Sequence, residues 1–207
     1  MATSIMEEKP GNTGQELLHD PLLNKGTAFT DKERNECGLH GLLPPRVTTI
    51  EDQVMRAMEN YRAKPNDLEK YIFLAGVHDR NETLYYRLLI DHMEEMMPIV
   101  YTPTVGKAVQ QYSDLYQAPR GITLSSKNID HIDQILADYP LSDVRMIVAT
   151  DASAILGIGD QGHGGLAICI GKLALYTAGA GVSPIHTMPV NFDVGTDRRE
   201  LLDDPDY

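Results

Sequence analysis

The sequence predicts an α/β protein in which an N-terminal helical region leads into the start of a mixed, mostly parallel sheet flanked by helices. Between residues 49 and 97, apolar side chains recur at the spacing of amphipathic helices. From residue 121 to residue 192, short β-rich runs alternate with helix-like runs, which is typical of a partly parallel sheet. We therefore divide the chain into a flexible arm (1–24), a helical region (25–120) and an α/β region (121–207).

The helical region contains clear start and stop signals. Thr30 with Glu33 three residues later forms a capping box, which predicts that a helix begins there. The turn-forming residues at 65–67 predict a break between two further helices. A third helix is expected over 81–97, with leucines and a methionine cluster on its core side.

A short apolar strand, Pro98-Ile99-Val100, is predicted to follow, with Tyr101 at its exit. Pro103 keeps the backbone extended, and Thr104 is placed to cap a new helix. The remaining predicted elements are a strand at 121–124, a helix at 129–137, strands at 144–150 and 155–158, a helix at 166–178 and a strand at 188–192.

Composition excludes several classes of partner. The formal charge of −12 argues against nucleic acids and anionic membranes. The chain has no apolar run near the length of roughly eighteen residues that a membrane span needs, and residues 1–10 resemble neither a secretory signal nor a transit peptide. Cys37 and Cys169 lie far apart without metal-ligand spacing, which indicates free thiols in a reducing compartment. These features predict a cytoplasmic protein.

A glycine-rich stretch has the letters of a dinucleotide fingerprint, Gly157-x-Gly159-x-x-Gly162. Its context fits poorly, because the glycines follow a predicted hairpin instead of a strand-to-helix turn. The next acidic residue at a strand end, Asp193, comes later than the fingerprint requires, and Asp160 inside the loop would repel phosphate. The alternative is that these glycines allow a strand and a helix to pack closely.

Two residues are candidates for proton transfer, and each has a plain structural alternative. Lys172 lies among apolar neighbours, so burial would lower the pKa of its ammonium and make it a possible general base. It could equally extend its charged end to the surface. Tyr101 could be a core tyrosine with a satisfied hydroxyl. The seven histidines show neither an HxxxH nor an HxH pattern, so we do not expect them to bind a metal.

Eight segments in order resemble the N-terminal domain of the malic enzymes, and together they cover the chain from about residue 24 to its end. They are Lys25–Thr30, Gly38–Pro45, Leu68–Tyr71, Arg80–Glu82, Met97–Gly106, Ile155–Asp160, Gly171–Leu173 and Asp193–Thr196. The resemblance implies the fold of that domain, which is similar to the amino-acid dehydrogenases, and a homo-oligomer with contacts in the helical region.

The resemblance also implies a reaction. Malic enzymes oxidise L-malate to pyruvate and CO2 with NAD or NADP and Mg²⁺ or Mn²⁺. The tyrosine of the family's YTPT motif, here Tyr101, acts as general acid toward the enol, and the lysine of its GKL motif, here Lys172, acts as general base on the 2-hydroxyl. The pairing is chemically sensible, because hydride loss requires a deprotonated hydroxyl and the enol carbon must then be protonated.

Some positions depart from the family pattern. Ala154 stands where many members have an arginine that contacts substrate or cofactor, and Arg198 replaces an asparagine. Cys169 stands where proline is usual. Arg56 and Arg80 match arginines that bind a dicarboxylate effector in some members, whereas their usual acidic companion is absent near Thr48.

The family's metal-binding residues and dinucleotide-binding domain lie beyond the matched stretch. We therefore expect a truncated fragment that neither binds NAD(P) tightly nor oxidises malate alone. Two alternatives remain open. The chain could be an interaction module that pairs with a full-length malic enzyme subunit, or part of a malolactic enzyme, which converts malate to lactate.

Overall fold

The computed structural model describes residues 12–115, 118–205 and 207. Its α-helices are α1 (Gly14–His19), α2 (Asp31–Glu36), α3 (Ile50–Arg62), α4 (Asp67–His78), α5 (Glu82–Asp91), α6 (Met93–Val100), α7 (Thr104–Gln110), α8 (Tyr112–Leu115), α9 (Ile132–Asp138), α10 (Leu166–Ala180) and α11 (Arg199–Leu202). Its strands are β1 (Ile122–Ser125), β2 (Met146–Thr150) and β3 (Thr187–Asp193). Short 3-10 turns occupy Gly26–Ala28, Ile129–His131, Gly162–Gly165 and Pro184–His186.

The chain forms two compact units. The first contains the residues up to Ala63 together with Leu74–Leu88, and the second contains Lys64–Phe73 and Leu89–Tyr207. In the order of elements, helix α8 ends at Leu115 and strand β1 begins at Ile122. The compact units do not divide there, because the helical residues 64–73 and 89–115 belong to the unit that holds the sheet.

The first unit has a small apolar core that includes residues assigned to the arm. Leu17 of α1 is fully buried with Phe29, Cys37 and Leu39. Leu17 therefore packs into this core, because it has apolar partners to bury against, while the flexibility of the arm stays a prediction. The rest of the predicted arm, residues 1–11, lies outside the described residues.

The predicted capping box at the start of α2 is present. The Thr30 hydroxyl accepts a hydrogen bond from the Glu33 amide, and the Glu33 carboxylate accepts one from the Thr30 amide. Each bond satisfies an amide that the first helical turn leaves without a partner. Buried Arg34 donates to the carbonyl oxygens of Phe29 and Pro44, which ties α2 to the loops on both sides of it.

The second unit is built on an open, fully parallel three-stranded sheet of order β1-β3-β2. Strand β3 lies in the centre, where Val190 pairs with Ile122 of β1 and with Ala149 of β2. The connections from β1 to β2 and from β2 to β3 run in opposite directions across the sheet. Right-handed crossovers then place α9 and α10 on opposite faces. The α9 face buries Ile122, Leu124, Met188 and Val190.

This architecture confirms the predicted α/β fold class. Apart from the strand expected at 155–158, the strands and helices predicted between 121 and 192 are found within a few residues of their expected limits. None of the described helices is long and apolar enough to cross a membrane.

Three elements of the prediction are wrong. Residues 98–100 close helix α6 instead of forming a strand, because the amides of the last turn keep their helical partners although Pro98 lies inside the helix. The helix expected over 81–97 is divided at His92 into α5 and α6. Residues 155–158 form a tight turn held by one antiparallel bridge between Ile155 and Gly159, because the loop reverses too sharply for a strand.

Helix α10 approaches α6 very closely at Gly171. A Cβ atom on Gly171 would lie 2.5 Å from the Val100 carbonyl oxygen and 3.3 Å from the ring of Tyr101. Both contacts are shorter than van der Waals distances permit, so the position requires glycine for space, not for backbone conformation. The contact with Val100 involves backbone, which cannot move aside as a flexible side chain could.

We expect Gly171→Ala to destabilise the chain by about 1–3 kcal/mol, because the added methyl group forces α6 and α10 apart. Gly179→Ala is the matched control in the same helix, where a Cβ atom would meet nothing within 4 Å. That substitution should stabilise by up to about 1 kcal/mol through helix propensity. Urea unfolding monitored by circular dichroism measures both, and equal effects of the two substitutions would show that the close approach is unimportant.

Candidate active site

Tyr101 is held at the junction of two helices. Its amide donates to the Met97 carbonyl at the end of α6, and its carbonyl accepts from the Val105 amide in α7 at 2.9 Å. The backbone of this residue is therefore fixed on both sides, while its side chain is half-buried. The sequence analysis expected Tyr101 after a strand, whereas it follows a helix.

Lys172 lies beside Tyr101. It is the residue after Gly171 in α10, and its Nζ atom is 5.7 Å from the centroid of the Tyr101 ring. The lysine is half-buried, so its ammonium group reaches the surface of this unit. The structure thus brings together the two residues that the sequence singled out, from segments some seventy positions apart.

Burial does not lower the pKa of Lys172 overall, as one of the two alternatives for this residue supposed. Interaction with the Tyr101 phenol, chiefly through hydrogen bonding and also through charge, raises the pKa of Lys172 and outweighs the opposing effect of burial. The expectation assumed a lysine sealed among apolar side chains, and the half-exposed position removes most of that desolvation. At neutral pH this lysine is therefore an ammonium group.

A small apolar cluster supports the pair. Val105 and Val109 of α7 and Ala167 of α10 form its buried centre. The side chains that pack against this centre are Tyr71, Tyr101, Tyr112, Ile158 and Ile168. Helices α7 and α10 and the glycine-rich loop therefore share one core next to the candidate site.

Asp160 ties the glycine-rich loop to the segment that follows β3. Its carboxylate accepts hydrogen bonds from the Thr196 hydroxyl at 2.7 Å and from the Asp197 amide at 2.9 Å. The Gly162 amide donates to it at 3.0 Å. Burial raises the pKa of Asp160, but these hydrogen bonds and the charge of Arg198 outweigh burial and lower it overall.

Arg198 reinforces the same connection. Its Nη1 atom donates to the Asp160 carbonyl and to the Oε1 atom of Gln161, both at 3.1 Å. Gln161 is 2% exposed, and its backbone amide donates to the Ala152 carbonyl. We call Asp160, Gln161, Thr196 and Arg198 the loop clamp.

The glycine-rich loop does not fit a pyrophosphate. The Gly162 amide is committed to the Asp160 carboxylate, and the His163 amide donates to the Tyr207 hydroxyl. An ionised carboxylate occupies the position where a phosphate would need free amides, which agrees with the close-packing interpretation of these glycines. A Cβ atom on Gly165 would lie 2.4 Å from the Ala152 Cβ atom.

A metal does not fit the described residues either. No group of three histidine, cysteine, aspartate or glutamate side chains within the described ranges could hold an ion.

Ala154 is exposed on the loop after β2 and carries no charge with which to hold a carboxylate. The nearby Asp151 carboxylate accepts from the amide and hydroxyl of Ser153, so it serves the turn itself. Cys169 is a buried free thiol, and burial raises its pKa to about 11. It is therefore a packing residue and not a nucleophile at neutral pH.

The predicted effector arginines lie in the first unit. Arg56 donates to the Thr27 hydroxyl at 3.4 Å, and Arg80 donates to the Gly76 carbonyl at 3.0 Å. The Thr48 hydroxyl pairs with that of Thr27. Effector binding by these arginines stays a prediction.

Sequence reasoning missed most of the loop clamp. It interpreted Asp160 only as a residue that repels phosphate and Arg198 only as a departure from the family pattern. Gln161 gave no signal, because a glutamine in a glycine-rich loop has no characteristic spacing. The repeated occurrence of aspartate next to turn-forming residues at 160 and 193–197 was the one available clue.

Comparison with known proteins supplies the family. The family model described as "Malic enzyme, N-terminal domain" matches residues 78–207. The chain is 56% identical over 196 residues to the NAD-dependent malic enzyme 3 of Bacillus subtilis and 53% identical over 194 residues to the NAD-dependent malic enzyme of Acinetobacter baylyi. Each match covers 94% of this chain, and the chain spans about a third of each relative, 35% and 34% respectively.

We expect Tyr101→Phe to lower the pKa of Lys172, because the phenol oxygen that favours the ammonium form is removed. Tyr112→Phe is the matched control, since this tyrosine packs on the same apolar cluster. NMR titration of the lysine side-chain signals in the purified chain measures the shift. An unchanged titration in Tyr101→Phe would contradict the described contact.

We expect Asp160→Asn to reduce the free energy of unfolding by about 1.5–3 kcal/mol near neutral pH, the range for hydrogen bonds to a charged group. The folded-state pKa of Asp160 is lowered. Its stabilisation is therefore present above the unfolded-state pKa and is lost as pH falls through the folded-state pKa. The difference from the unsubstituted chain should accordingly close in acid.

The control for that experiment is Asp197→Asn, which makes the same change in charge at an exposed side chain. Urea unfolding at a series of pH values measures the free energies. A difference between Asp160→Asn and the unsubstituted chain that does not vary with pH would contradict the clamp.

Proposed function

The chain belongs to the malic enzyme family, and on that premise we propose that it supplies the acid and the base for oxidative decarboxylation of L-malate. The reaction yields pyruvate and CO2 with NAD as hydride acceptor, in a protein of its relatives' length. The observation that carries the proposal is the contact between Tyr101 and Lys172. The names of the relatives, NAD-dependent malic enzymes, support the choice of reaction and cofactor.

The proton transfers balance across this pair. Neutral Lys172 removes the proton of the malate 2-hydroxyl, which allows the hydride on the same carbon to leave. Loss of CO2 then produces the enolate of pyruvate, and the Tyr101 hydroxyl protonates its carbon, which leaves pyruvate, the Lys172 ammonium and the Tyr101 phenolate. Proton transfer from the Lys172 ammonium to the Tyr101 phenolate restores both groups, so one base and one acid in contact suffice for a complete cycle.

The raised pKa of Lys172 sets a condition on this scheme. Lys172 must lose its proton before it can act as a base, and the phenol favours the protonated form. We infer that bound malate and the remainder of a full-length protein desolvate the half-exposed ammonium and lower its pKa. No described group of side chains could hold a metal ion, and the glycine-rich loop does not fit a pyrophosphate, so the scheme concerns only what Tyr101 and Lys172 do.

We further propose that the complete protein is cytoplasmic and forms a homo-oligomer through the helical region. Support comes from the resemblance and from bacterial relatives. The requirement for Mg²⁺ or Mn²⁺ is part of the same proposal, with ligands outside this chain.

A chimera tests the function directly. This chain replaces the corresponding third of the Bacillus subtilis relative, and the purified chimera is assayed with malate, NAD and Mn²⁺. We expect turnover to pyruvate, whereas the chain alone should give none. Tyr101→Phe and Lys172→Met should each reduce kcat by about 10²- to 10⁴-fold, the usual contribution of acid–base catalysis.

Matched controls are Tyr112→Phe and Lys107→Met, the latter an exposed lysine near Tyr101 in sequence. Both should stay close to the unsubstituted rate. Lactate without net NADH would instead indicate a malolactic enzyme. A chimera that folds and binds NAD but gives neither product, or one that is insensitive to both Tyr101→Phe and Lys172→Met, would overturn the proposal.

A further inference from the structure

The loop clamp reaches toward the candidate acid through a buried side chain. Gln161 accepts from Arg198 at its Oε1 atom, and its Nε2 atom donates to the Ile158 carbonyl. Because Gln161 is 2% exposed, its amide can satisfy both atoms only by holding Arg198 and the loop backbone in one arrangement. Arg198 is therefore linked to the Ile158 carbonyl through one buried side chain.

Ile158 in turn supports helix α7. Its Cγ2 atom lies 3.5 Å from the place that a Cβ atom on Gly106 would occupy, and its side chain packs against the cluster centred on Val105 and Val109. The Val105 amide donates to the Tyr101 carbonyl. A displacement of Ile158 would therefore move the start of α7 and, with it, Tyr101.

We propose that Arg198 is a positioning residue. Through Gln161 and Ile158, it holds the Tyr101 side chain beside that of Lys172. The contacts form a continuous series. The Arg198 guanidinium contacts the buried Gln161 side chain, which contacts the Ile158 carbonyl, and the Ile158 side chain packs against helix α7. The description of Tyr101 and Lys172 as catalytic rests on the proposed function, whereas the geometric relation between them does not.

A guanidinium suits this task because of its shape. One Nη1 atom of Arg198 serves the Asp160 carbonyl and the Gln161 side chain together, and the Nε atom lies 3.6 Å from the Glu200 carboxylate. The planar group thus contacts several acceptors in fixed directions. A lysine carries a compact charge without this fixed arrangement of donors.

The test uses Arg198→Met. Arg199→Met is the matched control, because it removes the same charge at the next residue, and Arg199 makes none of these contacts among the described residues. The first readout is the pKa of Lys172, titrated by NMR in the chain itself. We expect it to fall in Arg198→Met, because the phenol no longer lies against the ammonium, and to stay unchanged in Arg199→Met.

The second readout is catalytic. In the chimera, Arg198→Met should lower kcat by about tenfold to a hundredfold, the scale of an ångström-sized misplacement, with little change in KM. Arg198→Lys, which keeps the charge but not the planar group, should be intermediate in both readouts. It also serves if Arg198→Met fails to fold.

The outcomes separate the two proposals. If Arg198→Met and Arg198→Lys are folded and the Lys172 titration is unchanged, Arg198 does not position the pair, whatever the activity. If the titration shifts but the unsubstituted chimera folds, binds NAD and is inactive, the positioning inference holds and the proposed function fails. Equal shifts of the Lys172 pKa in Arg198→Met and Arg199→Met would show that loss of charge alone causes the shift, and would overturn the inference.

Discussion

The approach of two backbones at Gly171 is the constraint on which the candidate site depends. Helix α10 can lie against the end of α6 only because this residue has no side chain. The next residue, Lys172, is thereby delivered beside Tyr101, the residue that ends α6. The two side chains need no attraction to one another to meet, because the packing of the helices already places them side by side. The absence of a side chain at Gly171 therefore determines where the two candidate proton-transfer groups lie.

The sequence predicted the elements whose pattern is strong and local. Strands β1–β3 and helix α10 are bounded by turn residues and have uniform propensity, so their limits were found within a few residues. The segment 98–100 was mistaken for a strand because two β-branched residues follow a proline. In the structure, hydrogen bonds from the preceding turn continue the helix through Pro98. Residue preference was overruled by an existing helix, which a short window cannot reveal.

The proximity of Tyr101 and Lys172 was predictable, but the electrostatics of the pair was not. Tyr101 and Lys172 were identified by their motifs, while the direction of the Lys172 pKa shift depends on exposure and on the phenol. Both are properties of the folded state. The loop clamp was missed for a similar reason, because Asp160 meets Thr196 only after β3 has been inserted between its neighbours. The letters of the glycine fingerprint do not state which acceptor the amides will meet, and the context of the glycines, including Asp160, was what argued against a pyrophosphate.

The strand order has a consequence for how such a chain is assembled. Strands β1 and β2 each pair with β3 and not with one another, so the two earlier strands have no mutual ladder to form. During synthesis, β1 and β2 cannot form their sheet hydrogen bonds until β3 has emerged from the ribosome and paired with both. Until then their amides and apolar faces stay open to water, and the nascent chain is vulnerable to mispairing and to chaperone capture. Tyr101 and Lys172 are both translated before β3, so the sheet against which α10 packs is completed only after both residues have been made.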